Sequence, residues 1–200
     1  MKTQDIVLRD PFVLPYEGKY YLFGTRSFTC WEDHATGVDA YVSEDLENWS
    51  EPIEVLHKSD DFWANKCYWA PEVHVYHNKF YMFVTLSKAG TDILGTALFI
   101  ADHPLGPYKS HGPQTMTPED WRSLDGTFYQ DKKGNPYMVF CHEWVQVSDG
   151  EMNVVALNED LNKPIGEPKI LFRASQGKTW VKNANFPREI NNDYITDGPF

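Results

Sequence analysis

Three features of this sequence predict an all-β fold of repeated antiparallel sheets. Aromatic residues make up 15 % of the 200 residues, and aromatic side chains favour strands. Thirteen prolines would interrupt most long helices, and helical periodicity is weak throughout the chain. The third feature is an internal repeat with a spacing of 55 to 60 residues, in which each copy contains two hairpins.

The first hairpin of each repeat is the clearest element. PFVLPYEGKYYLF, which begins at Pro11, aligns with PEVHVYHNKFYMF, which begins at Pro71, at an offset of 60 residues. A third copy, GTFYQDKKGNPYMVF, begins at Gly126 and has a slightly longer turn. Each copy places Gly or Asn between two β-rich runs, and these residues adopt the positive φ that tight hairpin turns require.

A second hairpin follows the first in every repeat. Each copy has an apolar strand, a polar turn with a Leu, and an exit through Pro or Gly. The copies are AYVSEDLENWSEP from Ala40, LFIADHPLGPYKS from Leu98 and VVALNEDLNKPIGEP from Val154. Two hairpins form a four-stranded antiparallel sheet, and such a sheet repeated along a chain is typical of β-propeller blades.

The repeats therefore predict one partial propeller domain over residues 1–200. Its blades are expected at approximately 6–60, 68–115 and 123–175, and a fourth is expected to begin near residue 194. A propeller closes its ring because closure removes exposed sheet edges. The chain is accordingly expected to stop short of a closed ring.

Charge and cysteine content narrow the function classes. The formal net charge of −11 would repel a phosphate backbone, which argues against a nucleic-acid partner.

Cys30, Cys67 and Cys141 are odd in number and lack metal-ligand spacing, so we expect free thiols in a reducing compartment. The start, MKTQDIVLRD, has no apolar signal region and no run approaches membrane length, which predicts a cytoplasmic protein without a membrane partner. A leader peptide removed ahead of this sequence would instead imply secretion.

An acidic residue opens three of the four repeats. The position just before the Pro or Gly of each repeat is Asp10, Ala70, Asp125 or Asp197. Equivalent positions on the innermost strands of successive blades converge on the propeller axis, so we expect three carboxylates in one pocket. An Asp before Pro or Gly also caps turns, but the repeat-equivalent spacing favours a shared site. Crowded carboxylates split their pKa values, which suits glycoside hydrolysis because it needs one protonated acid and one ionised base.

RDPF near the start, WAPE one repeat later and an Asp opening the third repeat together resemble the signature of glycoside hydrolase family 43. The resemblance covers essentially the whole chain and implies a five-bladed β-propeller, of which three blades and the start of a fourth are present. It also implies hydrolysis with inversion of the anomeric centre, with Asp10 as general base and Asp125 as the residue that orients the acid and tunes its pKa. Asp197 lies where the general acid, usually Glu in this family, is expected; Glu143 in CHEW is the alternative.

Aromatic and polar residues near the repeat openings are predicted to contact substrate, and Trp69 and Trp144 are the candidate sugar platforms. The full set is Phe12, Trp69, Glu72, Phe128, His142 and Trp144. Glu72 is interpreted as either a substrate contact or a structural contact. Because neighbouring strand residues face opposite sides, only one of His142 and Glu143 is expected to point into the pocket.

The resemblance also bears on substrate and cofactor. It implies α-L-arabinofuranosyl or β-D-xylosyl linkages of plant-type polysaccharides or their oligosaccharides. No cofactor is required for the reaction, although the family often holds a calcium ion or water on the axis through a His of its C-terminal portion. No His of this chain is assigned that role.

Two function classes remain for such a pocket. The first is an inverting glycosidase, and the alternative is a carbohydrate-binding propeller that keeps the pocket without the chemistry. Turnover of aryl glycosides discriminates between them. A protein-interaction propeller predicts no axial carboxylates and is therefore disfavoured.

Overall fold

The described part of the protein is a set of three antiparallel sheets with four strands in each. The computed structural model describes residues 1–31, 34–177 and 194–199. The strands are β1 (Leu8–Tyr16), β2 (Lys19–Arg26), β3 (Gly37–Ser43), β4 (Ile53–His57), β5 (Lys66–Tyr76), β6 (Lys79–Ser87), β7 (Leu94–Ala101), β8 (Lys109–Ser110), β9 (Ser123–Gln130), β10 (Pro136–His142), β11 (Glu151–Leu157) and β12 (Pro164–Arg173). Within each sheet the strands follow chain order, which confirms the predicted all-β class.

In the part of the chain that the structure describes, helical structure is limited to short connecting segments. A single-turn helix, α1, covers Trp144–Val147, and 3-10 turns cover Thr3–Asp5 and Ala174–Gln176. None of the described helices has the length and apolar character needed to cross a membrane.

The first hairpin of each sheet turns through residues with positive φ. Glu17 and Gly18 have φ of 47° and 75°, and His77 and Asn78 have φ of 47° and 60°. The third turn places Gly134 at φ 88°. The sequence signals for these turns therefore reflect the backbone conformation that two-residue hairpin turns require.

Apolar side chains fill the spaces between neighbouring sheets. One buried cluster joins the first and second sheets through residues such as Phe23 and Met82, and a second joins the next pair through residues such as Phe83 and Phe140. Burying a side chain of this size contributes about 1.5–3 kcal/mol. The inner strands β1, β5 and β9 contact one another in succession, so that their residues surround one axis.

Candidate active site

Each inner strand is irregular where an axial residue was expected. The pairing register shifts between Arg9 and Phe12 in the first sheet, with equivalent shifts in the other two. Asp10, Ala70 and Asp125 have φ of 50°, 44° and 51°, the left-handed conformation that Asp tolerates better than most residues. Such β-bulges redirect a side chain out of the regular alternation. The three repeat-equivalent positions therefore share one strained backbone geometry.

A threonine links the first axial residue to the second sheet. Thr25 Oγ1 donates a hydrogen bond to Asp10 Oδ2 at 2.8 Å. The same oxygen accepts the backbone N–H of Ala70 at 2.8 Å. One buried hydroxyl thus orients the Asp10 carboxyl and fixes the neighbouring inner strand beside it.

Thr85 occupies the equivalent position in the second sheet. Its Oγ1 accepts the backbone N–H of Asp125 at 2.8 Å and donates to Asp125 Oδ1 at 3.0 Å. Thr25 donates to the Asp of its own sheet, but the second sheet has Ala70 at that position. Thr85 therefore donates its hydroxyl hydrogen bond to Asp125 of the next sheet. Asp125 is therefore held at both its backbone and its carboxyl.

Cys141 is the third member of this series. By strand pairing it lies opposite Leu124, as Thr25 lies opposite Arg9. Its Sγ lies 3.2 Å from the carbonyl oxygen of Thr196, to which the thiol donates, and 2.9 Å from its hydroxyl. Burial raises the pKa of the Cys141 thiol to about 12, so this group stays protonated.

The segment 194–199 lies against the end of the third sheet. The N–H of Tyr194 donates to the carbonyl of Ser148 at 3.0 Å, and its carbonyl accepts the N–H of Gly150 at 2.8 Å. Together with the Cys141–Thr196 contact, this bridge brings the exposed Asp197 to the axial pocket.

The three aspartates lie close enough for the charges of Asp10 and Asp197 to act on Asp125. Burial, the largest cause, acts together with the negative charge of Asp197 to raise the pKa of Asp125 to about 7. A hydrogen bond from carboxyl to carboxyl joins Asp125 to Asp197, and the charge of Asp10 acts in the same direction. The Thr85 hydrogen bond opposes these effects because it stabilises the ionised form. Two carboxyls that share a hydrogen bond hold one proton between them.

Glu72 lies on the same axis, two residues beyond Ala70. Its side chain is buried, with 3 % of the residue exposed, and Oε2 accepts the Thr127 hydroxyl at 2.5 Å. His74 Nε2 lies 2.9 Å from the same oxygen. Oε1 is buried without a hydrogen-bond partner among the described residues. Glu72 therefore joins the second and third inner strands and also borders Asp10 in a small cleft.

The other aromatic candidates separate into two environments. Phe12 lines the same small cleft as Asp10 and packs against His74 with 5.3 Å between ring centroids. Phe128 lies between the second and third sheets, where its ring contacts Tyr76 at 5.4 Å and Phe83 at 6.3 Å. Phe128 lies three residues after Asp125, so strand alternation turns its side chain away from the axis and into this core. Thr127 lies two residues after Asp125 and faces the axis.

Residues at the end of β10 and just beyond it form a separate polar cluster. His142 stacks on Trp121 with 4.1 Å between centroids, and its Nε2 lies 2.8 Å from Gln146 Oε1. Glu143 Oε2 accepts a hydrogen bond from Arg122 Nε at 3.1 Å. These contacts place His142 in structural packing, and they pair Glu143 with a cation rather than with the axial carboxyls. Trp144 is half-buried at the start of α1.

Trp69 is half-buried and faces the first sheet. Its indole N–H donates to the carbonyl of Cys30 at 2.6 Å, and its ring meets Trp31 edge-on at 5.2 Å. The predicted platform thus supports a loop of the preceding sheet.

Sequence reasoning missed the hydroxyls that hold the axial carboxyls. Thr25 and Thr85 are 60 residues apart, the same offset as the hairpins that contain them, so the repeat carried the signal. The third position of the series holds Cys141 rather than a threonine. The longer turn of the third hairpin also changes the distance in sequence between Cys141 and Asp125. Only strand pairing reveals that the three positions are equivalent.

Within residues 1–31, 34–177 and 194–199, no group of three or more His, Cys, Asp or Glu side chains is placed to hold a metal ion. The axial calcium that the resemblance implies stays a prediction, and no step of the chemistry below depends on it.

Replacing Thr85 by Val is expected to destabilise the fold by about 1–3 kcal/mol, because it leaves the buried N–H of Asp125 without an acceptor. Urea unfolding measures this change. Thr91→Val, on an exposed turn, is the matched control and should change the free energy of unfolding little. If the two substitutions lowered the free energy of unfolding equally, the stabilising role of the Thr85–Asp125 hydrogen bond would be contradicted.

Stability should fall as the pH rises from about 4 to 7. Between the ordinary Asp pKa of 3.8 and the folded value of about 7, folded Asp125 keeps a proton that the unfolded chain has lost. The free energy of unfolding therefore decreases across this interval. Asp125→Asn should flatten the profile, whereas Asp92→Asn on an exposed turn should not. Urea unfolding at several pH values tests this, and a profile that rises between pH 4 and 7 would contradict it.

Comparison with known proteins agrees with this arrangement. The family model described as glycosyl hydrolases family 43 matches residues 5–195. An endo-arabinase structure from Bacteroides thetaiotaomicron superposes with a TM-score of 0.87 and 33 % identity, covering all of this chain and 67 % of that one.

Curated relatives are more distant in sequence. An extracellular endo-α-(1→5)-L-arabinanase of Bacillus subtilis is 24 % identical over 76 % of this chain and 33 % of its own length. Xylosidase/arabinosidase 43A of Humicola insolens is 27 % identical over 70 % of this chain and 45 % of its own length. The chain thus spans between a third and a half of these two relatives.

Proposed function

The chain belongs to glycosyl hydrolases family 43, and on this premise we propose that it hydrolyses α-L-arabinofuranosyl linkages with inversion. The observation that carries the proposal is the meeting of three carboxyls, of which two share a hydrogen bond and one, Asp10, lies close by. Such a site offers a proton and a base at once, as inverting hydrolysis requires.

Asp10 is the proposed base. The Thr25 hydroxyl engages Oδ2, and the proposal assigns Oδ1 to the attacking water. The carboxylate accepts a proton from this water while the water oxygen attacks the anomeric carbon from the face opposite the leaving group. Inversion follows because bond formation and bond cleavage take place on opposite faces.

The Asp125–Asp197 pair is the proposed acid. Its shared proton passes from the exposed Asp197 to the leaving glycosidic oxygen as the carbon–oxygen bond breaks. Asp125 is the more enclosed carboxyl, and its raised pKa keeps a proton in the pair near neutral pH. The residue with the raised pKa is thus Asp125, which the resemblance predicts to tune the acid. Asp197 provides access to substrate, and the Thr85 hydroxyl holds Asp125 in place.

The comparisons favour an arabinose-containing substrate. The name of the Bacteroides protein and that of the Bacillus relative both specify arabinan cleavage. The Humicola relative is named for xylosidase and arabinosidase activity, so β-D-xylosyl linkages form the second candidate.

A substrate panel tests the proposal. The full-length protein should release product from linear α-1,5-arabinan or an aryl α-L-arabinofuranoside, and less from an aryl β-D-xyloside or β-galactoside. Chromatography of the products and release of the aryl group measure this. Binding of arabino-oligosaccharides without hydrolysis of any substrate would instead favour the carbohydrate-binding alternative.

A further inference from the structure

An exposed aromatic loop lies at the same end of the first sheet as Asp10. Strand β2 ends one residue after Thr25, which holds Asp10, and the chain then enters this loop. Trp31 is 67 % exposed and Phe28 is 80 % exposed. Two aromatic side chains on one short loop thus present apolar surface to solvent, and contiguous exposed apolar surface marks binding sites.

Trp31 is held in place despite its exposure. The Trp69 ring packs edge-on against it at 5.2 Å, and the Trp69 indole N–H anchors the loop through the carbonyl of Cys30. The guanidinium of Arg9 lies 5.1 Å from the Trp31 ring centroid. Two thirds of the Trp31 surface stays open with both neighbours present. A ring fixed in this way loses little conformational freedom when a ligand covers it.

The support of Trp31 comes directly from the axial strands. Arg9 immediately precedes Asp10 on β1, and Trp69 immediately precedes Ala70 on β5. Beside the loop lies a pocket of about 260 Å³ that is lined in part by Thr25 and Phe28. Both side chains that support Trp31 are therefore neighbours in the chain of an axial position.

We propose that Trp31, backed by Trp69 and Arg9, forms an aromatic shelf that binds a sugar unit adjacent to the one whose bond is cleaved. The apolar C–H face of a sugar packs on an aromatic ring, and the neighbouring guanidinium donates hydrogen bonds to hydroxyls. The inference rests on the proposed function, since the shelf has a purpose only beside a carbohydrate site. It makes the substrate an oligosaccharide or polysaccharide chain that extends beyond a single sugar.

Substrates of different length test the shelf. Trp31→Ala should lower the ratio of kcat/KM for α-1,5-arabinopentaose to that for an aryl α-L-arabinofuranoside by about 10-fold. Trp31→Phe, which keeps an aromatic ring, should retain most of the ratio. Tyr129→Ala, a 53 % exposed aromatic residue toward the other end of β9, is the matched control and should leave the ratio unchanged.

Binding provides a readout that does not depend on turnover. Calorimetry with arabinopentaose in an Asp10→Asn background should give a Kd that Trp31→Ala raises by about 10-fold. An unchanged ratio and an unchanged Kd would overturn the shelf, as would an equal effect of Tyr129→Ala. If wild type cleaves neither substrate, the proposed hydrolase activity fails, while pentaose binding still decides the role of Trp31.

Discussion

Replacing Asp10 by Asn is expected to lower kcat by about 10²–10⁴-fold, the usual contribution of a general base. Asn keeps the shape and can still accept the Thr25 hydrogen bond through its amide oxygen, so the bulge and the fold should persist. The substitution removes only the ability to take a proton from water. Steady-state kinetics on an arabinofuranosyl substrate measures the loss, and urea unfolding verifies the fold.

Asp102→Asn provides the matched control for this experiment. Asp102 is exposed, pairs with Lys79 and lies just beyond the end of β7, away from the axial residues. The same chemical change there should leave kcat near the wild-type value. Near-normal kcat in Asp10→Asn would exclude Asp10 as the base.

The second large effect is expected at Asp197 and should depend on the leaving group. Asp197→Asn removes the exposed carboxyl of the pair, so a natural disaccharide should lose about 10²-fold or more in kcat. A dinitrophenyl glycoside leaves without protonation and should lose much less. The measurement is kcat for both substrates in wild type and variant.

Glu143 is the alternative acid and serves as the comparison. Its contact with Arg122 predicts that Glu143→Gln affects both substrates alike. If Asp197→Asn instead impairs both substrates equally and Glu143→Gln shows the leaving-group dependence, the acid role moves to Glu143.

The repeat in the sequence was sufficient to predict the blades and the axial positions. Pro, Gly and aromatic residues recur at fixed offsets, and equivalent residues of equivalent sheets face one axis. The approach of Asp10, Asp125 and Asp197 to one another could therefore be predicted without knowledge of any contact, whereas their catalytic roles came from the resemblance and stay predictions. Their meeting point follows from the symmetry of the fold.

Side-chain direction outside the axial positions could not be predicted in the same way. The aromatic residue of the third repeat is Phe128, three residues after Asp125, so strand alternation turns it into the core while Thr127 faces the axis. His142 ends its strand against Trp121, a residue of a connecting loop that carries no repeat signal. Such packing depends on long-range contacts, which a local pattern does not encode.

The distribution of pKa values also required the structure. Proximity of like charges predicted that one carboxyl would hold a proton, and the resemblance assigned that proton to the general acid, at Asp197. Burial is the largest cause of the shift at Asp125, and burial depends on how the sheets enclose each carboxyl. The sequence argument placed the raised pKa on the acid itself, whereas the structure puts it on the partner that the acid contacts.

Proton NMR of the first-formed product tests the central claim most directly. If Asp10 activates water opposite the leaving group, hydrolysis of an α-1,5-linked arabino-oligosaccharide first yields the β-anomer at the new reducing end, before mutarotation produces the α-anomer. Initial appearance of the α-anomer would mean that a carboxyl attacks the sugar as a nucleophile, which contradicts the account given for Asp10 and for the Asp125–Asp197 pair.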